Sequence, residues 1–283
     1  MKLLAAKAFL FTPGDQEKKI LQSLQRSDCA VVLDLEDSVL PEKKPEARAL
    51  ICRLLKEPHA AEVVAIRINS PEKGMLAEDM RAVEESMPAA IFLPKGDRSN
   101  AEAMVKPLKD LFERTGRLLP VIPIIETARG FEEMAEVFRI LPYTPFASFG
   151  GEDLATDMRI RRDPGGGQFE YARSRFILSC VAYHVIPSDT VFVDYKDAAG
   201  LEREVAHVRD MGMMAKSCIH PAQIELINRG FAPPEEAIRE AQMIVEAAML
   251  PENQGRGSVS VHGRMVDIPV IQRARELLAR AGL

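Results

Sequence analysis

The chain has 283 residues, 47% of them hydrophobic and 28% charged, with a formal net charge of −5. That length suits one large domain or two small ones, and that balance suits a soluble globular enzyme. No lysine- or arginine-rich run is dense enough for a phosphate-backbone surface, which argues against nucleic acid as a partner. No apolar run reaches membrane-spanning length.

The opening MKLLAAKAFLF has some of the look of a signal peptide. Lys7 interrupts it, however, and no small-residue cleavage site follows, so it reads as a first strand. Short apolar, β-branched runs then recur at 8–14, 30–37, 63–70, 90–96, 121–127, 146–153, 190–195 and 215–221. Between them lie segments of helical spacing, such as EKKILQSLQ, PEARALICRLLK and GFEEMAEVFRIL. Continuous apolar strands alternating with amphipathic helices predict a parallel sheet covered by helices. Eight such units on this length favour a closed barrel over an open doubly wound sheet. The expectation is an α/β fold, a (β/α)8 TIM barrel over residues 1–225.

A glycine-rich stretch, RRDPGGGQ (161–168), separates the sixth and seventh runs. It lacks the spacing and lysine of a P-loop and reads as a mobile active-site loop. After CIHP the pattern changes. Residues 233–250 read as a helix, with Pro233 and Pro234 at its start and acids in its first turn. A loop or hairpin at 252–264 and a last helix, IPVIQRARELLARAGL, follow. Residues 226–283 are thus a C-terminal helical appendage. The four cysteines, Cys29, Cys52, Cys180 and Cys218, are scattered among mostly apolar neighbours without a Cys-x-x-Cys pair. Reduced buried thiols in a cytoplasmic protein are the expectation.

In such a barrel, chemistry sits at the C-terminal ends of the strands. Asp34, Glu36 and Asp37 follow the second run, Arg67 and Asn69 the third, Lys95 the fourth, and Glu126 the fifth. Glu152 and Asp153 follow the sixth, Asp194 and Lys196 the seventh, and His220 the eighth. An acid-rich ring with few cations suits a hard ion such as Mg²⁺, which takes one or two carboxylates, several waters and substrate oxygens. The three histidine or cysteine ligands of a typical zinc site are absent.

Each residue also has a structural reading. Glu126 could simply precede a capping Thr127, yet a charge directly after VIPII is costly unless it is paired or metal-bound. Asp153 could be a helix N-cap. Arg67 could pair with Glu36 or Asp37, and His220 reads first as a histidine at a helix start. Nothing flanking Lys95 argues for a Schiff base.

The motifs FLFTPG, VVLDLEDSV, AIRINS, IFLPK, PIIETARG, FGGEDLATD, GLEREVAHVRDMGMMAKSCIHPAQI and GRMVDIPVIQRA run in one order over nearly the whole chain. In that order they resemble the citrate lyase beta-subunit family, which includes the malyl-CoA and citramalyl-CoA lyases. The resemblance implies a (β/α)8 barrel. Glu126 and Asp153 match the family's magnesium ligands, and Arg67 the arginine at the keto-acid end of the substrate. Glu36 and Asp37 match acids beside the metal. Asp267 matches an aspartate supplied by the C-terminal segment of a neighbouring subunit, which implies a lid over that subunit's site and a homo-oligomer, a trimer or hexamer.

One departure is visible. Lys7 and Ala8 stand where the family often has Arg-Ser, so Lys7 keeps a charge but loses the bidentate fork. With Lys95, Lys7 is a candidate for substrate binding. The implied reaction is Mg²⁺-dependent cleavage of a 3-hydroxy-3-carboxyacyl thioester, carried on CoA or on an acyl carrier protein. The products are a 2-oxo acid such as glyoxylate, pyruvate or oxaloacetate and a thioester enolate, with the condensation as its reverse. The alternatives are the beta subunit of a citrate lyase complex acting on citryl-acyl carrier protein, and a metabolite-binding relative without turnover. A relative that splits hydroxy-keto acids without CoA fits the LDLEDSV form less well.

Overall fold

The structure, a computed structural model, describes residues 3–162, 167–250, 258–261 and 264–281. The order of elements begins β1 (Ala8–Pro13), α1 (Glu17–Leu24), β2 (Ala30–Asp34), α2 (Lys44–Leu54), β3 (Val64–Arg67), α3 (Leu76–Ser86) and β4 (Ala90–Leu93). It continues with α4 (Arg98–Thr115), β5 (Val121–Ile125), α5 (Ala128–Glu132), α6 (Met134–Ile140), β6 (Phe146–Phe149) and α7 (Gly151–Asp157). Then come α8 (Glu170–Ala182), β7 (Ile186–Asp189), α9 (Ala198–Met211), β8 (Ala215–Cys218) and α10 (Ile224–Gly230). All neighbouring strands pair in parallel, and β8 returns to β1, closing the expected (β/α)8 barrel.

Local chemistry sets the helix boundaries. Asp97 accepts from the Asn100 N–H to start α4, which ends at Gly116 with φ 70°. Asp197 accepts from the Gly200 N–H to start α9, which ends at Gly212 with φ 116°. Both are side-chain N-caps with left-handed glycine stops.

Inside the barrel the period of two decides what faces inward. Phe9, Ala30, Val32, Ala65, Phe92, Ile122, Ile124 and Phe146 form one buried apolar cluster. Phe9 meets the rings of Phe92 and Phe146 edge-on at 5.5 and 5.3 Å, pairs that contribute about 1 kcal/mol each beyond burial. Two residues further along their strands, the same inward positions hold Asp34, Arg67, Glu126 and Ser148. The floor of the barrel is therefore dry, and the next layer toward the C-terminal ends is polar.

The seventh strand differs from expectation. It is Ile186–Asp189, and residues 190–195 form the loop after it. Thr-Val-Phe-Val-Asp-Tyr carries the stronger β pattern, whereas Ile-Pro-Ser-Asp contains a proline. The ladder tolerates that proline because its carbonyl accepts from Met214 N and its neighbour Ile186 N donates to Pro145 O. Val193 and Tyr195 are exposed. Asp194 and Lys196 consequently lie in a loop beyond the strand end.

Asp189, which does end β7, belongs to a charge cluster formed with α8, α9 and β8. Arg173 reaches it through Nε at 3.0 Å and Nη2 at 3.2 Å. Lys216 donates to Asp189 at 2.6 Å and to Glu204 at 2.5 Å. Burial pushes the Asp189 carboxyl up, but Lys216 and Arg173 more than reverse this and hold it below its usual range. Lys216→Met leaves two buried carboxylates sharing Arg173 and is expected to cost about 3–5 kcal/mol. Denaturant midpoints measure this, and an unchanged midpoint would show that the cluster does not stabilise the barrel.

The four cysteines are buried free thiols. Residues Met1–Arg229 and Gly230–Leu283 form separate compact units. The second holds α11 (Glu235–Met249), β9 (Ser258–Val261), β10 (Arg264–Asp267) and α12 (Ile268–Ala281). β9 and β10 pair antiparallel, and Ala241, Ile244, Val266, Ile271 and Ala274 form its small core. The expected 161–168 loop lies partly, and the 252–264 segment largely, outside the described residues.

Candidate active site

A cavity of about 570 Å³ opens at the C-terminal ends of the strands. Asp34, Asp37, Arg67, Glu126, Asp153 and Thr190 are among the residues that line it. This size suits a small-molecule site.

Asp34 and Arg67 end β2 and β3 and stand opposite each other in the register. The guanidinium clasps Asp34 with two bonds, Nε to Oδ1 at 2.6 Å and Nη2 to Oδ2 at 2.7 Å. It also lies over the Phe11 ring, 5.3 Å from its centroid. Asp34 further accepts from the Glu36 N–H at 2.8 Å and the Ser38 hydroxyl at 2.5 Å. Burial alone would raise the Asp34 carboxyl, but Arg67 and these donors hold it below the usual range. The ion pair expected with Glu36 or Asp37 is thus secondary. Arg67 Nη1 stands 3.3 Å from Glu36 and 3.8 Å from Asp37.

Glu36 is 1% exposed, and neither carboxylate oxygen receives a hydrogen bond. Burial, helped by Asp37 and Asp34 and opposed by Arg67 and Lys73, pushes its pKa up to about 7. Asp37 is exposed and lies 3.8 Å from Lys73.

Glu126 follows β5 and is 3% exposed. Its Oε1 accepts from the Lys95 backbone N–H at 2.7 Å. Lys95 takes the left-handed conformation, φ 48°, an uncommon state for a residue with a Cβ and a frequent mark of a functional loop. Lys95 therefore reaches Glu126 through its backbone, while its side chain points to Glu72 at 3.4 Å. Thr127 does cap α5, accepting from the Gly130 N–H, so the cap and the buried acid occupy consecutive residues. Burial raises the Glu126 carboxyl well above its ordinary value, and Asp153 and Glu36 raise it further.

Asp153 sits in the first turn of α7 and is not its N-cap; that position belongs to Gly150. A Cβ on Gly150 would overlap the Glu126 side chain and stand 2.7 Å from its Oε2. The missing side chain leaves room for the Glu126 carboxylate. Thr190 accepts from the Gly151 N–H at 2.9 Å and so fixes the start of α7.

These features fit a divalent cation. Glu126 and Asp153 offer two mutually repelling carboxylates, and the buried Glu36 carboxylate, ion-paired to Arg67 and Lys73 but without a hydrogen bond, adds negative charge near Glu126. Among the described residues no set of three histidine, cysteine, aspartate or glutamate side chains converges on one point. A cation there would complete its shell with water and substrate oxygens, the habit of magnesium.

Lys7 does not join this group. It precedes β1 and bonds through its carbonyl to the Lys216 N–H. β1 has six residues, so Lys7 lies roughly 20 Å from the mouth, at the opposite end of the barrel. Substrate binding by Lys7 is corrected accordingly. His220 caps the turn after β8, accepting from Ala222 N, as its structural reading predicts. It also lines the cavity and stacks on Tyr195 at 4.5 Å. In the second unit, exposed Asp267 accepts from Val270 N at 3.3 Å at the start of α12, the bond of a helix cap. Asp34 as the anchor of Arg67 was missed, although both end adjacent runs at the same inward phase.

Known proteins place the chain. It is 30% identical to the citrate lyase subunit beta of Escherichia coli (strain K12), covering 100% of this chain and 95% of the other. It is 31% identical to the mitochondrial citramalyl-CoA lyase of Homo sapiens, covering 99% and 86%. Among solved structures it resembles CitE of Mycobacterium tuberculosis in complex with magnesium, acetoacetate and coenzyme A. The TM-score there is 0.78 and the identity 28%, over 98% of both chains. A citrate lyase from Burkholderia xenovorans matches with a TM-score of 0.87 at 26% identity, over 98% of this chain and 91% of that one. A family model matches residues 7–221, nearly the whole barrel, and the chain belongs to the HpcH/HpaI aldolase/citrate lyase family.

Proposed function

We propose that the protein is a Mg²⁺-dependent carbon–carbon lyase that cleaves a 3-hydroxy-3-carboxyacyl thioester of the malyl-CoA or citramalyl-CoA type. The observation that carries this is Glu126: a buried carboxylate at an inward strand end, raised by its surroundings and left room by Gly150. Glu126 and Asp153 would hold the ion. When bound, magnesium acts as a Lewis acid toward the substrate hydroxyl and the carbonyl that forms from it.

The chain's own residues do the rest. Arg67, locked by Asp34, presents Nη1 to the substrate carboxylate and to charge developing on its oxygens. Glu36 and Asp37 flank that fork, and we assign them the hydroxyl proton. Loss of that proton breaks the carbon–carbon bond, releasing a 2-oxo acid and a thioester enolate. Asp267, supplied by a neighbouring subunit of a homotrimer or hexamer, is our candidate to protonate the enolate carbon. Lys95 contributes by orienting Glu126. The four buried free thiols fit a reducing compartment, and we place the chain in the cytoplasm. No described helix is long and apolar enough to cross a membrane.

The likeness to the E. coli citrate lyase subunit beta supports a second reading, with citryl on an acyl carrier protein as substrate. A panel of acyl-CoA esters assayed for 2-oxo acid release, with and without Mg²⁺, tests the choice. Release from a free CoA ester is expected. Release only from an acyl-carrier-protein thioester selects the second reading, and a chain that neither binds Mg²⁺ nor turns over would favour the metabolite-binding relative instead. Mixed oligomers of Asp267→Asn and Arg67→Ala subunits are expected to regain activity that each lacks alone. No recovery in demonstrably mixed oligomers would overturn the shared site.

A further inference from the structure

Lys44, in the first turn of α2, is 4% exposed. Its ammonium donates to the carbonyls of Leu35 and Glu36, both at 2.8 Å, and to Asn69 Oδ1 at 2.5 Å. None of these three acceptors is a carboxylate. A cation at this place is unfavourable on two counts: it loses hydration, and it faces the positive end of a helix dipole. Burial and neighbouring Lys73 pull its pKa below the ordinary value. An arginine–aspartate pair braces it from behind. Asn69 donates to Asp79 Oδ2 through its backbone N–H at 2.7 Å and its Nδ2 at 2.9 Å. Asp79 Oδ1 in turn accepts from Arg48 Nε at 2.6 Å.

Glu36 stands two residues beyond the end of β2, and Asn69 two beyond the end of β3. Lys44 therefore ties together the chain just past the two strand ends that form the Asp34–Arg67 pair. The Glu36 side chain has no hydrogen bond of its own to fix it. Its carboxylate has ion-pair contacts only, to Arg67 at 3.3 Å and Lys73 at 3.6 Å, while its backbone is held by hydrogen bonds, the N–H to Asp34 and the carbonyl to Lys44.

We propose that Lys44 is a positioning residue. By gathering the Leu35 and Glu36 carbonyls onto Asn69, it sets the backbone from which Glu36 enters the site. This rests on the reading of Glu36 as part of the reaction machinery. Arg67 is held separately by Asp34, so substrate affinity does not depend on Lys44.

Lys44→Met is expected to lower kcat about 10²-fold, the usual cost of misplacing a reacting group by about an ångström. KM is expected to stay within about twofold, because Arg67 is untouched. Calorimetric Mg²⁺ affinity is also expected to hold. The deciding measurement is the double-mutant cycle with Glu36→Gln. If Lys44 acts through Glu36, the double variant is no slower than Glu36→Gln alone. Multiplicative losses, or a raised KM with unchanged kcat, would overturn the proposal. If melting shows Lys44→Met unfolded at the assay temperature, Lys44→Gln, which keeps a donor, takes its place in the cycle with the same pattern expected. Glu126→Gln, run in parallel, separates the two failures. An active Glu126 variant sinks the site reading itself, whereas an inactive one beside a fully active Lys44 variant sinks only the positioning role.

Discussion

Glu126→Gln is expected to abolish Mg²⁺-dependent cleavage, by about three orders of magnitude or more, while making the metal-free protein no less stable. The first effect follows from losing one of two carboxylates for the ion, worth several kcal/mol of charge stabilisation in the transition state. The second follows from the direction of the Glu126 shift. Burial, Asp153 and Glu36 raise its pKa, so the folded chain holds a proton that the unfolded chain gives up. A raised carboxylate contributes most below its unfolded pKa, and that contribution is lost as pH rises toward the folded value. At neutral pH the acid strains the metal-free fold, and a neutral amide of the same shape removes the repulsion while still accepting from Lys95 N. Protons and Mg²⁺ compete for this group. Affinity for the ion is therefore expected to fall as pH is lowered, and Glu36, with its pKa pushed up to about 7, contributes to that fall between about pH 8 and about pH 6. Titration calorimetry and melting curves with and without Mg²⁺ measure both effects. A Gln variant with full activity, or one that melts well below the wild type without metal, would remove Glu126 from the metal site.

Much of the barrel was legible because its strands repeat one simple rule. Apolar runs of four to six residues are buried at nearly every position, and three of them, β2, β3 and β5, close on a charged residue: Asp34, Arg67 and Glu126. Seven of the eight expected runs contain the observed strands, β1 to β6 and β8. The seventh misled because local β propensity favours Thr-Val-Phe-Val-Asp-Tyr, while the barrel needs a strand positioned by its neighbours' ladders. Ile186–Asp189 satisfies those ladders despite Pro187. Glu126 and Arg67 were readable as candidates because a charge that closes an apolar strand is expensive without a partner, and Asp153 because it follows the sixth run at the same end of the barrel. Lys7 was misplaced for the complementary reason. A charge that opens a strand belongs to the other end of the barrel, and direction along a parallel strand is enough to say so. Lys44 could not be read at all. Its three acceptors come from two other strand ends and converge only in three dimensions.

Arg67→Lys keeps the charge and is still expected to lower kcat/KM by about 10²-fold, roughly 2.7 kcal/mol. The loss is one of geometry. Asp34 occupies the Nε and Nη2 edge of the guanidinium at 2.6 and 2.7 Å, which leaves Nη1 directed toward Glu36 and the cavity. One planar group thus holds its anchor and presents a donor at once. A lysine ammonium engaged by Asp34 has no rigid second edge to offer, and it cannot stack on Phe11 as the guanidinium does. Arg67→Ala removes both functions and leaves Asp34 buried without its partner, so it is expected to lose about 3 kcal/mol of stability as well. Millimolar guanidinium should then restore part of the activity of the Ala variant and little of that of the Lys variant, whose side chain still occupies the slot. Measured kcat/KM, the denaturant midpoint and the rescue ratio together separate charge from shape. A Lys variant within about twofold of wild type would show that the site needs only a positive charge, and the bidentate clasp by Asp34 would then be structural alone.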